Sequence, residues 1–241
     1  MEVKSLVNGE LLLISNSTNP GGGYLDHCAD AVRGHFAECR QVAFVPYALA
    51  DHDAYAHQAE QRFEKLDLSL VSVHWAEDPG LTLSQSDGVF VGGGNTFRLL
   101  AHLRSKGLLG QIRSCVNGGM QYAGASAGSN LACPTIKTTN DMPIVDPGGF
   151  EALGLFPYQI NPHYVDRDPD VAHGGETRQQ RIAEYHEENP TPVIGLYEGA
   201  LLYHKKGQTS LAGNGAVVFL RGKTAIRLVP GEIVEDEITR T

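Results

Sequence analysis

Positive charge is scarce in this chain: 19 lysines and arginines stand against 28 aspartates and glutamates, a formal net charge of −9. A surface of that sign repels phosphate backbones and anionic lipid headgroups, which argues against nucleic acid or a membrane surface as partner. It sets no limit on a small ligand, because a local basic pocket can sit on an acidic molecule. Cysteine is sparse too. Cys28, Cys39, Cys115 and Cys133 form no Cys-x-x-Cys pair and stand at no metal-ligand spacing from a histidine. They are expected as reduced, mostly buried thiols. No apolar run approaches the ~20 residues that a membrane-spanning helix needs. The start Met1-Glu2-Val3-Lys4 lacks the basic segment and apolar stretch of a signal peptide, so a cytoplasmic protein is expected. Gly92-Gly93-Gly94 comes with neither the lysine of a phosphate loop nor the spacing of a dinucleotide fingerprint, which disfavours a nucleotide enzyme.

The chain does hold an alternation of short apolar runs and amphipathic stretches, without repeats. Its 241 residues are 41% hydrophobic, enough for one α/β domain over 1–241. Leu11–Ser15, Val42–Pro46, Ser69–His74, Gly88–Val91, Met120–Gly124 and Val193–Leu196 read as strands. Tyr24–Phe36, Ala54–Lys65, Phe97–Leu108 and Arg178–Glu187 read as helices, and Ser129 opens another that Pro134 limits. From Gly199 to Val229 the pattern is of β-hairpins, with turns at Gly207, at Gly213-Asn214-Gly215 and at Gly222. The predicted architecture is a mainly parallel sheet sandwiched between helices, with C-terminal hairpins. Sites in such sheets lie beyond the carboxyl ends of the strands, so the exits after Ile14 and Val91 and at Ser126 are expected on one edge.

Gly124-Ala125-Ser126-Ala127-Gly128 matches the Gly-x-Ser-x-Gly nucleophile elbow. The chemistry needs a tight strand-to-helix turn that lifts the hydroxyl out of the sheet, and small neighbours permit it. A serine hydroxyl also needs a base, itself oriented by a third group. Of the ten histidines, His27, His35, His52, His57, His102 and His186 fall in helix-like polar stretches and are expected at the solvated surface. His163 differs: in Gln159-Ile160-Asn161-Pro162-His163-Tyr164 it follows an apolar stretch, held by a proline in what reads as a fixed loop. Asp141, in the polar loop Thr138–Pro143, and Glu198, just past a strand, are both candidates to orient it, and spacing does not choose between them. The backbone amides of Gly94 and Ala127 are the candidate oxyanion hole, since glycine leaves an amide unhindered beside the nucleophile.

These stretches together resemble the α-aspartyl dipeptidases of serine peptidase family S51. The resemblance runs from Leu11 to about Gly215. It is carried by Leu13–Thr18, Val91–Phe97, Ser126–Gly128, Asn130–Thr135, Thr138–Pro147, Gln159–His163 and Gly175–Arg178. It implies a fold related to the class I glutamine amidotransferases, with Ser126 standing where those relatives carry cysteine. It also implies cleavage of dipeptides with an N-terminal aspartate, with no metal or organic cofactor, and it allows a homodimer. By family position Ser126 is the nucleophile, His163 the base, and Glu198 or Asp141 the third member, Glu198 being favoured. Arg178, otherwise a surface arginine beside Glu176, falls on the position that binds the substrate's aspartate side chain. Two departures are visible: Tyr164–His173 carries an extra residue, and Met1–Gly9 reads as an added peripheral strand or tail. Two rivals are a cyanophycinase-like enzyme acting on β-aspartyl linkages and a non-catalytic amidotransferase-like binding protein.

Overall fold

The computed structural model describes residues 8–167 and 175–240. The readings of Met1–Gly9 and of Tyr164–His173 fall mostly outside them. Five strands run parallel: β1 (Leu11–Ile14), β2 (Val42–Val45), β3 (Leu70–Ser72), β4 (Gly88–Val91) and β5 (Gln121–Ala125). Their spatial order is β3-β2-β4-β5-β1. β1, β2 and β4 are buried along their whole length, as unbroken apolar runs require when both sheet faces are covered. α1 (Ala29–His35) and α2 (His52–Glu64) cover one face, setting Val32, Tyr55 and Phe63 on Leu12, Ile14, Phe44 and Phe90. α3 (Pro79–Gln85), α4 (Thr96–Ser105), α5 (Leu108–Asn117) and α6 (Ala127–Ala132) cover the other, setting Leu83, Leu99, Ile112 and Leu131 against Leu11, Leu13 and Val91.

The chain then starts a second sheet with the parallel pair β6 (Gln159–Tyr164) and β7 (Val193–Tyr197), joined by α7 (Arg178–Glu188). It crosses back to add the hairpin β8 (Ala200–Lys205) and β9 (Gln208–Gly213) antiparallel to β1, and returns as β10 (Ala216–Phe219) and β11 (Ile226–Leu228). Among the described residues the sheets therefore have seven strands and four. A short α8 (Val234–Thr239) buries Val234 in the same core as Leu13, Ile160 and Val218. Among the described residues no helix is long and apolar enough to cross a membrane.

The α/β expectation holds, with differences that have local causes. The helix expected over Tyr24–Phe36 begins only at Ala29, because Leu25 sits at φ 56° with its N–H bonded to the Ser17 carbonyl (2.7 Å). Gly107, at φ 69°, ends the expected Phe97–Leu108 helix and opens α5. Gly207 and Gly222 lie between hairpin strands, but Gly213–Gly215 carries the chain from one sheet to the other. The segment read as a loop around His163 is strand β6, disguised by its polar residues and Pro162. Of the six histidines expected at the surface, only His57 is exposed, and His186 is buried.

Candidate active site

Three strand exits meet at one edge of the large sheet. Ile14 pairs with Ala125 and Val91 with Gly124 in parallel register, so β1, β4 and β5 end side by side. The Gly124–Gly128 turn leads from β5 into α6 there. A Cβ at Gly128 would lie 2.2 Å from the Val91 carbonyl oxygen, and one at Gly124 would lie 2.5 Å from the Gly128 backbone. Only glycine fits at either position. Between them Ser126 is held at φ 51°, ψ −105°, where L residues are rarely found. Its N–H bonds to the Ile14 carbonyl at 2.9 Å, and the buried Ser129 hydroxyl lies 2.8 Å from both the Ile14 and the Gly124 carbonyls. The strained turn is tied to both strands beneath it.

His163 arrives from the other sheet. Asn161 pairs with Gly195 and Tyr164 with Tyr197, so β6 carries one residue more than β7 between those pairs. Such a bulge re-aims a side chain, and here it leaves His163 at φ 52°. The imidazole Nε2 lies 3.0 Å from Ser126 Oγ, and Nδ1 lies 2.9 Å from Glu198 Oε1. A carboxylate only accepts, so Nδ1 carries the proton and Nε2 is free to accept one from the hydroxyl. Glu198 follows β7 directly; its carbonyl accepts from the Asn214 amide, and the next N–H, of Gly199, donates to Asn16 Oδ1 at 2.7 Å. The His163 and Glu198 side chains are 40% and 45% exposed, so water screens the pair while a small molecule can reach it.

Ser15 closes the seam between the sheets. Its hydroxyl accepts from the His163 N–H at 3.0 Å and donates to the Leu196 carbonyl at 2.9 Å. The glycine loop lies over the turn: a Cβ at Gly93 would stand 3.3 Å from Ser126 Cβ. Gly94 has φ 132°, and a Cβ there would meet the Ala48 carbonyl oxygen at 2.7 Å. Among the described residues no hydrogen bond engages the Gly94 or the Ala127 N–H. Both amides remain available to an anion.

The two competing acids separate. Asp141 does not reach His163; its Oδ2 accepts from the Thr96 N–H (2.7 Å), the Thr96 hydroxyl (2.6 Å) and the Thr139 hydroxyl (3.1 Å). It fastens its loop to the start of α4. Arg178, first residue of α7, donates from Nη1 to Asn140 Oδ1 at 2.6 Å, and Asn140 Nδ2 donates to the Pro162 carbonyl at 2.7 Å. Arg178 is thus linked through Asn140 to Pro162, the residue before His163, and is partly buried rather than on an open surface. Burial pulls its pKa below the usual guanidinium value, helped by the like charge of Arg181, yet a guanidinium stays charged at any working pH. Among the described residues no group of three or more His, Cys, Asp or Glu is placed to hold a metal ion.

Ser15, Asn16 and Asn140 were not singled out by sequence. The polar exit after Ile14 was a signal for the first two. A lone amide such as Asn140 has no sequence signature, because its role depends on partners 22 and 38 residues away.

Comparison with known proteins bears on the same arrangement. The family model for peptidase family S51 matches residues 11–212, a span that contains every residue of the site except Asn214. Peptidase E of Streptomyces coelicolor is 49% identical over 222 residues, covering 92% of this chain and 91% of that one. Peptidase E of Citrobacter koseri is 46% identical over 226 residues, covering 92% and 98%. In fold, the chain is similar to a peptidase from an acI-B1 Actinobacterium, with TM-score 0.67 at 17% identity over 96% of this chain and 98% of that one. It is also similar to a putative peptidase E of Listeria monocytogenes, with TM-score 0.61 at 21% identity over 92% and 98%. A match that takes in the elbow, the glycine loop, the bulged histidine strand and the arginine helix in order leaves one assignment: the chain belongs to peptidase family S51.

Proposed function

We propose that this peptidase is a serine dipeptidase that hydrolyses Asp-Xaa dipeptides through an aspartyl ester on Ser126. The observation that carries the reading is the continuous contact from Ser126 Oγ to His163 to Glu198, at 3.0 and 2.9 Å. In the first step Ser126 Oγ attacks the aspartyl carbonyl carbon while His163 Nε2 takes its proton. The oxyanion rests on the Gly94 and Ala127 amides. The intermediate collapses, the C–N bond breaks, and the proton on Nε2 leaves with the amine. Water then attacks the ester by the same proton path and releases aspartate. Glu198 holds the imidazole in the productive tautomer and stabilises its charged form. Arg178 reads the substrate's side-chain carboxylate, for which a guanidinium offers paired donors. The work needs no metal or organic cofactor, and Asp141 acts in the structure of the loop.

Ser126→Ala is expected to abolish turnover of Asp-Leu while circular dichroism and the thermal midpoint stay near those of the parent. Loss of a serine nucleophile removes most of the rate enhancement, of order 10⁶ in well-studied cases. Near-normal kcat in that variant would overturn the mechanism. Turnover of β-linked aspartyl peptides in preference to Asp-Leu would point instead to the cyanophycinase-like chemistry.

A further inference from the structure

Arg178 occupies a place that disfavours a positive charge three times over. It is the first residue of α7, where the helix dipole repels cations; its guanidinium is half-buried; and Arg181 stands nearby with the same sign. Glu176, the adjacent carboxylate, pairs with Arg181 at 3.6 Å. Among the described residues no carboxylate pairs with Arg178. Its partner is neutral. Asn140 Oδ1 accepts from Arg178 Nη1 (2.6 Å) and from Asn161 Nδ2 (2.9 Å), and Asn140 Nδ2 donates to the carbonyl of Pro162 (2.7 Å), immediately before His163. Asn161 Nδ2 also donates to the Thr138 carbonyl (2.9 Å), which holds this amide pair against the loop.

We infer that Asn140 is a specificity-determining positioning residue, holding Arg178 beside the histidine strand through a neutral contact that leaves the guanidinium's charge for a substrate carboxylate. The inference rests on the Asp-Xaa reading above. An amide suits this work where a carboxylate would not. Aspartate at 140 would still accept from Arg178 and Asn161, but it would spend the guanidinium's charge on an internal ion pair. A substrate carboxylate would then compete with a tethered one already in contact. Aspartate would also set a carboxylate oxygen against the Pro162 carbonyl, losing the bond that the Asn140 amide donates there.

The test compares Asp-Leu with Asn-Leu as substrates of the full chain. For Asn140→Asp the ratio of kcat/KM between them is expected to fall at least about tenfold, chiefly through KM for Asp-Leu. Asn140→Ala is expected to raise KM for Asp-Leu about tenfold and KM for Asn-Leu less, so that the ratio falls but stays above that of Asn140→Asp, because Arg178 loses its tether without gaining a carboxylate at 140. In an Arg178→Ala background neither change at 140 should alter the ratio further. An unchanged ratio in Asn140→Asp, a KM within twofold of the parent in Asn140→Ala, or a full effect without Arg178 would each overturn the inference. The Ala variant keeps the test alive if the Asp variant does not fold. Failure of the underlying reading looks different: the parent chain itself would show no preference for Asp-Leu over Asn-Leu.

Discussion

Ser126 and His163 are two of the five non-glycine residues held at positive φ among the described residues, and they face each other across the seam of the two sheets. Such backbone costs about 1–3 kcal/mol per residue, and packing around it must over-determine the conformation. Around Ser126 the glycine contacts and the Ser129 hydroxyl do this; around His163 the bulge and Ser15 do. The acids divide at the same scale. Glu198→Gln is expected to cut kcat for Asp-Leu by ~10²–10⁴ with little change in KM, because the imidazole loses the partner that fixes its tautomer. Asp141→Asn should instead lower stability by about 1–3 kcal/mol, since Thr96 loses a charged acceptor, and leave the pH profile of kcat unchanged. Steady-state kinetics against pH, with denaturant melts of both variants, check the pair. The opposite pattern would make Asp141 the partner of the base.

Among elements, the β5–α6 junction is among the least tolerant and α5 among the most. Gly128 packs its Cα against the Val91 carbonyl, so Gly128→Ala forces β4 and α6 apart and is expected to cost about 3 kcal/mol or more. Gly110, inside α5, has no atom within 4 Å of where a Cβ would stand, so Gly110→Ala should stabilise by about 0.5–1 kcal/mol through helix propensity. Urea denaturation of the two variants tests the contrast; similar effects would mean that the junction relaxes. The elements themselves were legible to different degrees. β1, β2 and β4 were readable because both faces are buried and every residue is apolar or small. β6 was not, because Gln159, Asn161 and His163 make tertiary contacts that local composition does not display.

The whole molecule is two sheets sharing one core, in which Leu13 and Val91 of the first lie in the same apolar cluster as Ile160, Leu196 and Val218 of the second. Helix α1 locks onto the opposite face, where His35, its last residue, places Nε2 3.0 Å from the Tyr122 carbonyl of β5. Burial lowers the His35 pKa to about 4. The unfolded chain therefore takes up a proton that the folded chain refuses, between pH ~6.5 and about 4. The stability this neutral histidine contributes is full above that interval and is lost as pH falls through it, to the extent of up to roughly 3 kcal/mol. His35→Gln, which keeps a donor, should show a shallower fall of Tm across the same interval; parallel curves would refute the assignment. Taken by itself, the sequence determined what neighbours along the chain decide: a turn that only glycines permit, apolar strands, and a histidine and an arginine set apart by family pattern. Tertiary structure decided which groups meet. Ser126 finds His163 across 37 residues, His163 finds Glu198 across 35, and Asn140 finds Arg178 across 38. Steric and periodic constraints act between adjacent residues and can be read there, whereas the choice of Glu198 over Asp141 depends on where a bulge in one sheet aims a side chain at the edge of another.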